Sequence, residues 1–125
     1  MPYFTKDEKK AMMVLITQIG SIQDSRNEAR TKIMMRYQDM LDVDTFEMME
    51  YTKSEINNAL PTIQAMSDDK KKFYVRMMLA LMIEDGRIVE SEEQAFLTLV
   101  TACRIPNKLI KEAMKETLEQ APHNK

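Results

Sequence analysis

The chain of 125 residues has little that turns, bridges or coordinates. It has one cysteine, one histidine, no tryptophan, two glycines and four prolines. A single cysteine excludes an internal disulfide, so folding needs no oxidising compartment. A single histidine, His123, has no nearby His or Cys with which to form a zinc site or a Cys-His nucleophile pair. No glycine-rich phosphate loop is present. Strand-rich folds need many turns, and turns use Gly and Pro, so the scarcity of both favours helices. The longest apolar run, Met77 to Ile83, is far short of a bilayer span. The first residues, MPYFTKDEKK, do not read as a signal peptide, and the expected location is cytoplasmic.

What is present reads as one globular domain. Hydrophobic residues make up 44% of the chain and charged residues 30%, a balance that buries a core. The formal net charge is −2, which gives no sign of a nucleic-acid partner. The densest basic run, Lys70 to Lys72, follows Asp68 and Asp69 directly and reads as a solvated helix start.

Helix starts are legible along the chain. Thr5 with Glu8, Ser25 with Glu28 and Ser91 with Gln94 fit capping boxes, and Asp44 with Glu47 opens a further helix. Ser67 precedes Asp68 and Asp69, which suit the positive end of a helix. Helices are expected from Thr5 to a stop at Gly20, from Ser25 to about Met40, and from Asp44 through Ile56. Further ones are expected from Ser67 to about Glu84, from Ser91 to before Pro106, and from Asn107 to about Gln120. The first carries Ala11, Met12, Leu15, Ile16 and Ile19 at helical spacing, and the last places Ile110, Met114 and Leu118 on one stripe. Asn57 to Met66 reads as a connector with a short helical turn from Pro61. The four adjacent methionine pairs, Met12-Met13, Met34-Met35, Met48-Met49 and Met77-Met78, should each put one Met in the core and one at its edge. Neighbours on a helix point about 100° apart. Edge methionines serve either as adaptable filler or as a soft surface for a partner helix.

Two segments align without a gap, Gly20 to Ala29 and Gly86 to Ala95, sharing Gly, Ile, Ser and Ala. The expected fold is therefore all-α, about seven helices, built as two pseudo-symmetric helix-turn-helix repeats packed in one bundle. Repeat one spans about 5–57, repeat two about 67–120, and 121–125 is a tail.

The second repeat's turn is acidic: Glu84, Asp85, Glu90, Glu92 and Glu93 crowd one segment. Asp85, Gly86, Ile88 and Glu92 match the second half of an EF-hand loop, but Leu81 and Ile83 fall where the first half needs oxygen ligands, which excludes a full EF-hand. The five carboxylates remain candidate ligands for Mg²⁺ or Ca²⁺, with Asp85 and Glu92 the strongest. The plainer alternative is helix-end acids on a wet surface.

The run Ile83-Glu84-Asp85-Gly86-Arg87-Ile88-Val89-Glu90-Ser91-Glu92, continuing through Phe96 to Pro106, resembles the TerB-like family, named for bacterial tellurite-resistance proteins. Met66 to Phe73 is similar to the central helix start of its small Bacteroidetes-type members. The resemblance implies an all-helical pseudo-twofold fold, a link to stress response, and acidic turns that serve as metal sites. Asp85 and Glu92 carry over. Where the family often has a second Asp-Gly turn, this chain has Ile19-Gly20-Ser21. With no catalytic set, the expected role is a non-enzymatic interaction or stress-associated module with a protein partner or a second copy as a homodimer. Divalent-cation binding at Asp85 to Glu92 is the alternative.

Overall fold

The computed structural model describes residues 3–20, 28–52, 56–83 and 90–120. Among them are seven helices: α1 (Lys6–Gly20), α2 (Glu28–Met40), α3 (Thr45–Thr52), α4 (Ile56–Gln64), α5 (Asp68–Met82), α6 (Glu90–Ala102) and α7 (Asn107–Gln120). The described residues contain no strand. The all-α architecture is as the sequence indicates.

The caps explain several boundaries. The Thr5 N–H donates to Glu8 Oε1 at 2.9 Å, and the Glu8 N–H donates back to Thr5 Oγ1 at 3.2 Å. At α3, the Glu47 N–H donates to Asp44 Oδ1 at 2.8 Å and the Asp44 N–H to Glu47 Oε1 at 3.3 Å. Ser67 accepts from the Lys70 N–H at the head of α5. Each bond occupies a donor that the first helical turn leaves without an intrahelical partner. The Ser25 cap and the paired turns around Gly20 and Gly86 lie outside the described residues, save Gly20 itself, the last residue of α1. α6 begins at Glu90, so Ser91 is inside its first turn rather than its cap.

A repeat is visible among the described residues at a spacing of 62: α1 and α5 start at Lys6 and Asp68, α2 and α6 end at Met40 and Ala102, and α3 and α7 start at Thr45 and Asn107. The two inter-helix corners obey the 62-residue register. Asp42 and Arg104 both take left-handed backbone, with φ of 54° and 56°. In both corners the following N–H reaches back across the helix end, Val43 to Gln38 O at 2.8 Å and Ile105 to Val100 O at 3.1 Å. Asp42 donates to Asp39 O and Arg104 to Thr101 O. This is the Schellman arrangement, here made without glycine, and Val43 and Ile105 are buried as its apolar plugs.

α1 and α5 form the centre. They pack on each other; α3 and α4 pack on α1, α7 packs on α5, and α6 touches both. Glu8 and Lys70, themselves 62 apart, bridge the two central helices at 2.7 Å. α2 is tied in by Tyr37, whose buried hydroxyl donates to Met77 O at 2.6 Å.

Three expectations fail here. Asn57 to Met66 is not a connector with a late turn: α4 is a helix with Pro61 inside it. An internal proline costs about 3 kcal/mol, offset by Ala59 and Ile63, both buried where α4 lies on α1. On α7 the buried stripe is Leu109, Ala113 and Thr117, while Met114 and Leu118 are exposed and Ile110 is half-buried. The buried line runs one position before the apolar one because α7 turns that face to α5, where Lys72 reaches Glu116 at 3.3 Å and Glu112 at 3.8 Å. The methionine pairs divide as expected only on α2 and α3. Met12, Met13, Met77 and Met78 are all buried.

Candidate functional site

Of the five predicted metal-ligating residues, Glu84 and Asp85 lie outside the described residues. The other three start α6. Glu90 and Glu93, three apart and so on one face, are exposed; Glu92 is fully buried. The three described carboxylates therefore do not present one common face. Among the described residues no three His, Cys, Asp or Glu side chains gather closely enough to hold a metal ion. Glu92 stands in the first turn, where helix amides and the macrodipole favour a negative charge.

The buried chemistry at the centre is inert. Cys103 has no exposure, and burial pushes its thiol up to about 11. Reactive cysteines are exposed and carry lowered values, so this thiol is a packing group. Tyr74 is also fully buried, and its hydroxyl finds no hydrogen-bond partner among the described residues. Burial, with a smaller contribution from Cys103, holds that hydroxyl protonated well beyond the ordinary tyrosine range. His123 lies outside the described residues.

The lysine run is not a solvated helix start. Lys70 binds Glu8 and lies 5.8 Å from the centre of the Phe4 ring. Lys72 binds Glu112 and Glu116. Two of the three ammonium groups thus join elements, which leaves little of the run for a phosphate backbone. Glu8 answers to two opposed influences. Burial raises its carboxyl, but hydrogen bonds from Lys70 and Thr5 outweigh that and hold it below the ordinary carboxylate range.

A cleft of about 230 Å³ lies between α1 and α4, floored by Ala11, Val14 and Ala59 and rimmed by Asp7 and Lys10. Small-molecule sites start at about 300 Å³ and enclose their ligand, so this cleft suits water better than a substrate.

The surface carries the remaining signal. Phe46 on α3 is 81% exposed, and Met49, one turn on, is 53% exposed. Residues 37–52 hold Asp39, Asp42, Asp44, Glu47 and Glu50 and no Lys or Arg. The equivalent corner of the second half has the opposite sign: Arg104, Lys108, Lys111 and Lys115 are exposed. Beside them Met114 and Leu118 are 40% and 58% exposed. Sequence reasoning missed this pairing because it read Met114 and Leu118 only as part of one apolar stripe with Ile110. The shared pattern of the two corners, Leu41-Asp42-Val43-Asp44 and Cys103-Arg104-Ile105-Pro106, was the available signal.

No family profile matches the sequence, and no curated protein is similar to it. Among solved structures, the chain is similar to a crystal structure of a protein of unknown function from Porphyromonas gingivalis. The TM-score is 0.68 and the identity 22%, over 94% of this chain and 92% of that one. At that identity the likeness concerns the fold, and the fold alone assigns no activity.

Proposed function

We propose that this chain is a non-enzymatic protein-interaction module of the TerB-like kind, acting in the cytoplasm and associated with stress response. The observation that carries the interaction reading is Phe46. A Phe buried in a core is worth roughly 1.5–3 kcal/mol over leaving it in water, yet α3 holds this ring 81% exposed on a helix whose start is doubly capped. Exposed aromatic and Met side chains together are what protein interfaces enrich. The TerB-like kinship rests on the residues of the Asp85 turn and on helix order.

Amine-reactive crosslinking in lysate of the source cells, comparing the wild-type chain with Phe46→Ser, tests this. Specific crosslinked species that disappear in the variant, at unchanged helix content, are expected. Species equal in both proteins, or turnover of a substrate that one point mutation abolishes, would overturn the reading.

The second reading is divalent-cation binding by Asp85 and Glu92. Its support is the full burial of the Glu92 carboxylate at the end of the acidic segment. An amide-resolved NMR titration with Mg²⁺ and Ca²⁺ should then give saturable shifts confined to residues 84–93 that vanish in Asp85→Asn. Diffuse or unsaturable shifts would refute it.

A further inference from the structure

The two halves of the molecule present the same corner twice with opposite charge. In the first half, exposed Asp39, Asp42 and Glu50 accompany Phe46 and Met49. Residues 46, 49 and 50 share one helical face. In the second half, Arg104 stands at the corner, and Lys108, Lys111 and Lys115 of α7 are spaced three and four apart, so the lysines form one ridge. That ridge runs along exposed Met114 and Leu118. Among the described residues, the ion pairs of α7 are those of Glu112 and Glu116 with Lys72, on the side of α7 that faces α5. The exposed charges at each corner are therefore mostly of one sign, Arg36 and Glu119 excepted, although the whole chain is nearly balanced at −2.

α3 packs on α1 and α7 on α5, and α3 with α7 is not among the closely packed helix pairs. A second copy can bring the two kinds of corner together. We infer that the protein self-associates head to tail, with the acidic α2–α3 corner of one copy seated on the basic α6–α7 ridge of the next. Phe46 and Met49 then cover Met114 and Leu118, and the acidic rim meets the lysines. This names the partner for the interaction module proposed above and rests on that reading. The contact joins two different surfaces, so each copy keeps one free acidic and one free basic face, and the assembly grows as a line or closes as a ring. Opposed rims make association fast and salt-sensitive.

Sedimentation velocity on the purified full-length chain tests the inference without any other protein present. At low salt the average mass should rise with concentration past that of a dimer, and high salt should return it to the monomer. Phe46→Ser with Glu50→Gln removes the acidic face; Lys111→Gln with Lys115→Gln removes the basic one. All four side chains are exposed or lie on exposed turns, and circular dichroism should be unchanged. Each double variant alone should be monomeric. Mixed one to one, they should form a dimer and stop there, since one intact face of each kind remains.

A wild-type chain that stays monomeric at low salt overturns the inference. So does a wild-type dimer that neither variant disturbs, which would mean another surface pairs. A monomer that instead binds anionic phosphatidylserine vesicles through the lysine ridge overturns it in favour of a membrane surface. The crosslinking in lysate decides the wider interaction reading separately, because it reads other proteins.

Discussion

The central helices and the outer ones use the same residue types to different ends. On α1 and α5, both members of each methionine pair are buried. On α2 and α3, Met34 and Met48 are half-buried while Met35 and Met49 are exposed. A helix surrounded by neighbours has no outer face, so 100° of separation between adjacent residues moves a side chain from one neighbour to another. A helix at the rim has one covered side, and the same 100° carries a side chain into water. What a methionine does here depends on how many helices flank its own.

The sharpest way to break that comparison is to shorten one methionine of each class. Met78→Ala, in the enclosed pair, should cost about 2–5 kcal/mol in urea unfolding. Met35→Ala, 59% exposed, should stay within about 0.5 kcal/mol. Equal costs would mean that the centre and the rim are not distinct.

The buried cysteine tests the centre chemically. With its thiol at about 11 against an ordinary 9.0, Cys103 holds roughly a hundredfold less thiolate at neutral pH than a free thiol. Iodoacetamide should modify it slowly in the folded chain and at the ordinary rate in urea. Rapid modification of the folded protein would show that α6 opens easily.

The Glu8–Lys70 bridge joins the two halves and should cost less when removed. Glu8→Gln should destabilise by about 1–2 kcal/mol at pH 7, through the weakened cap and the lost charge-assisted bond. The folded Glu8 carboxyl ionises more readily than the unfolded one, whose ordinary value is 4.5. Its stabilisation is therefore present in full above that value and disappears as pH falls through the lower folded one. The gap between wild type and Glu8→Gln should close over that acid range. A gap independent of pH would assign the effect to packing.

Two tyrosines give the smallest effects and an expected difference in sign. Tyr37→Phe removes a buried bond to Met77 O and should cost about 1 kcal/mol. Tyr74→Phe removes a buried hydroxyl with no partner among the described residues and should be neutral or slightly stabilising. Thermal melts of the two variants measure this directly.

Local chemistry was legible in the sequence. Thr5 and Glu8, Asp44 and Glu47, and Ser67 announced three helix starts, because capping needs only residues three apart. The candidate site was less so. Glu92 and its neighbours looked alike as carboxylates, yet one is enclosed and two are wet, which depends on the direction of each side chain from α6. Pro61 read as a breaker because local preference opposes it, and the apolar face that α4 offers to α1 prevailed. Among the described residues the repeat shows in the Asp42 and Arg104 corners, where the same geometry is carried by unlike residues.

The sequence by itself determined the all-α class, most of the helices and the caps at Thr5, Asp44 and Ser67, since these follow from spacing and from contacts within one or two turns. Only the tertiary structure decided which face of α7 is covered, which methionines are enclosed, and that the two halves present matching corners of opposite charge. Those features depend on which helix lies beside which, and contacts between residues about sixty positions apart have no local spacing from which to read them.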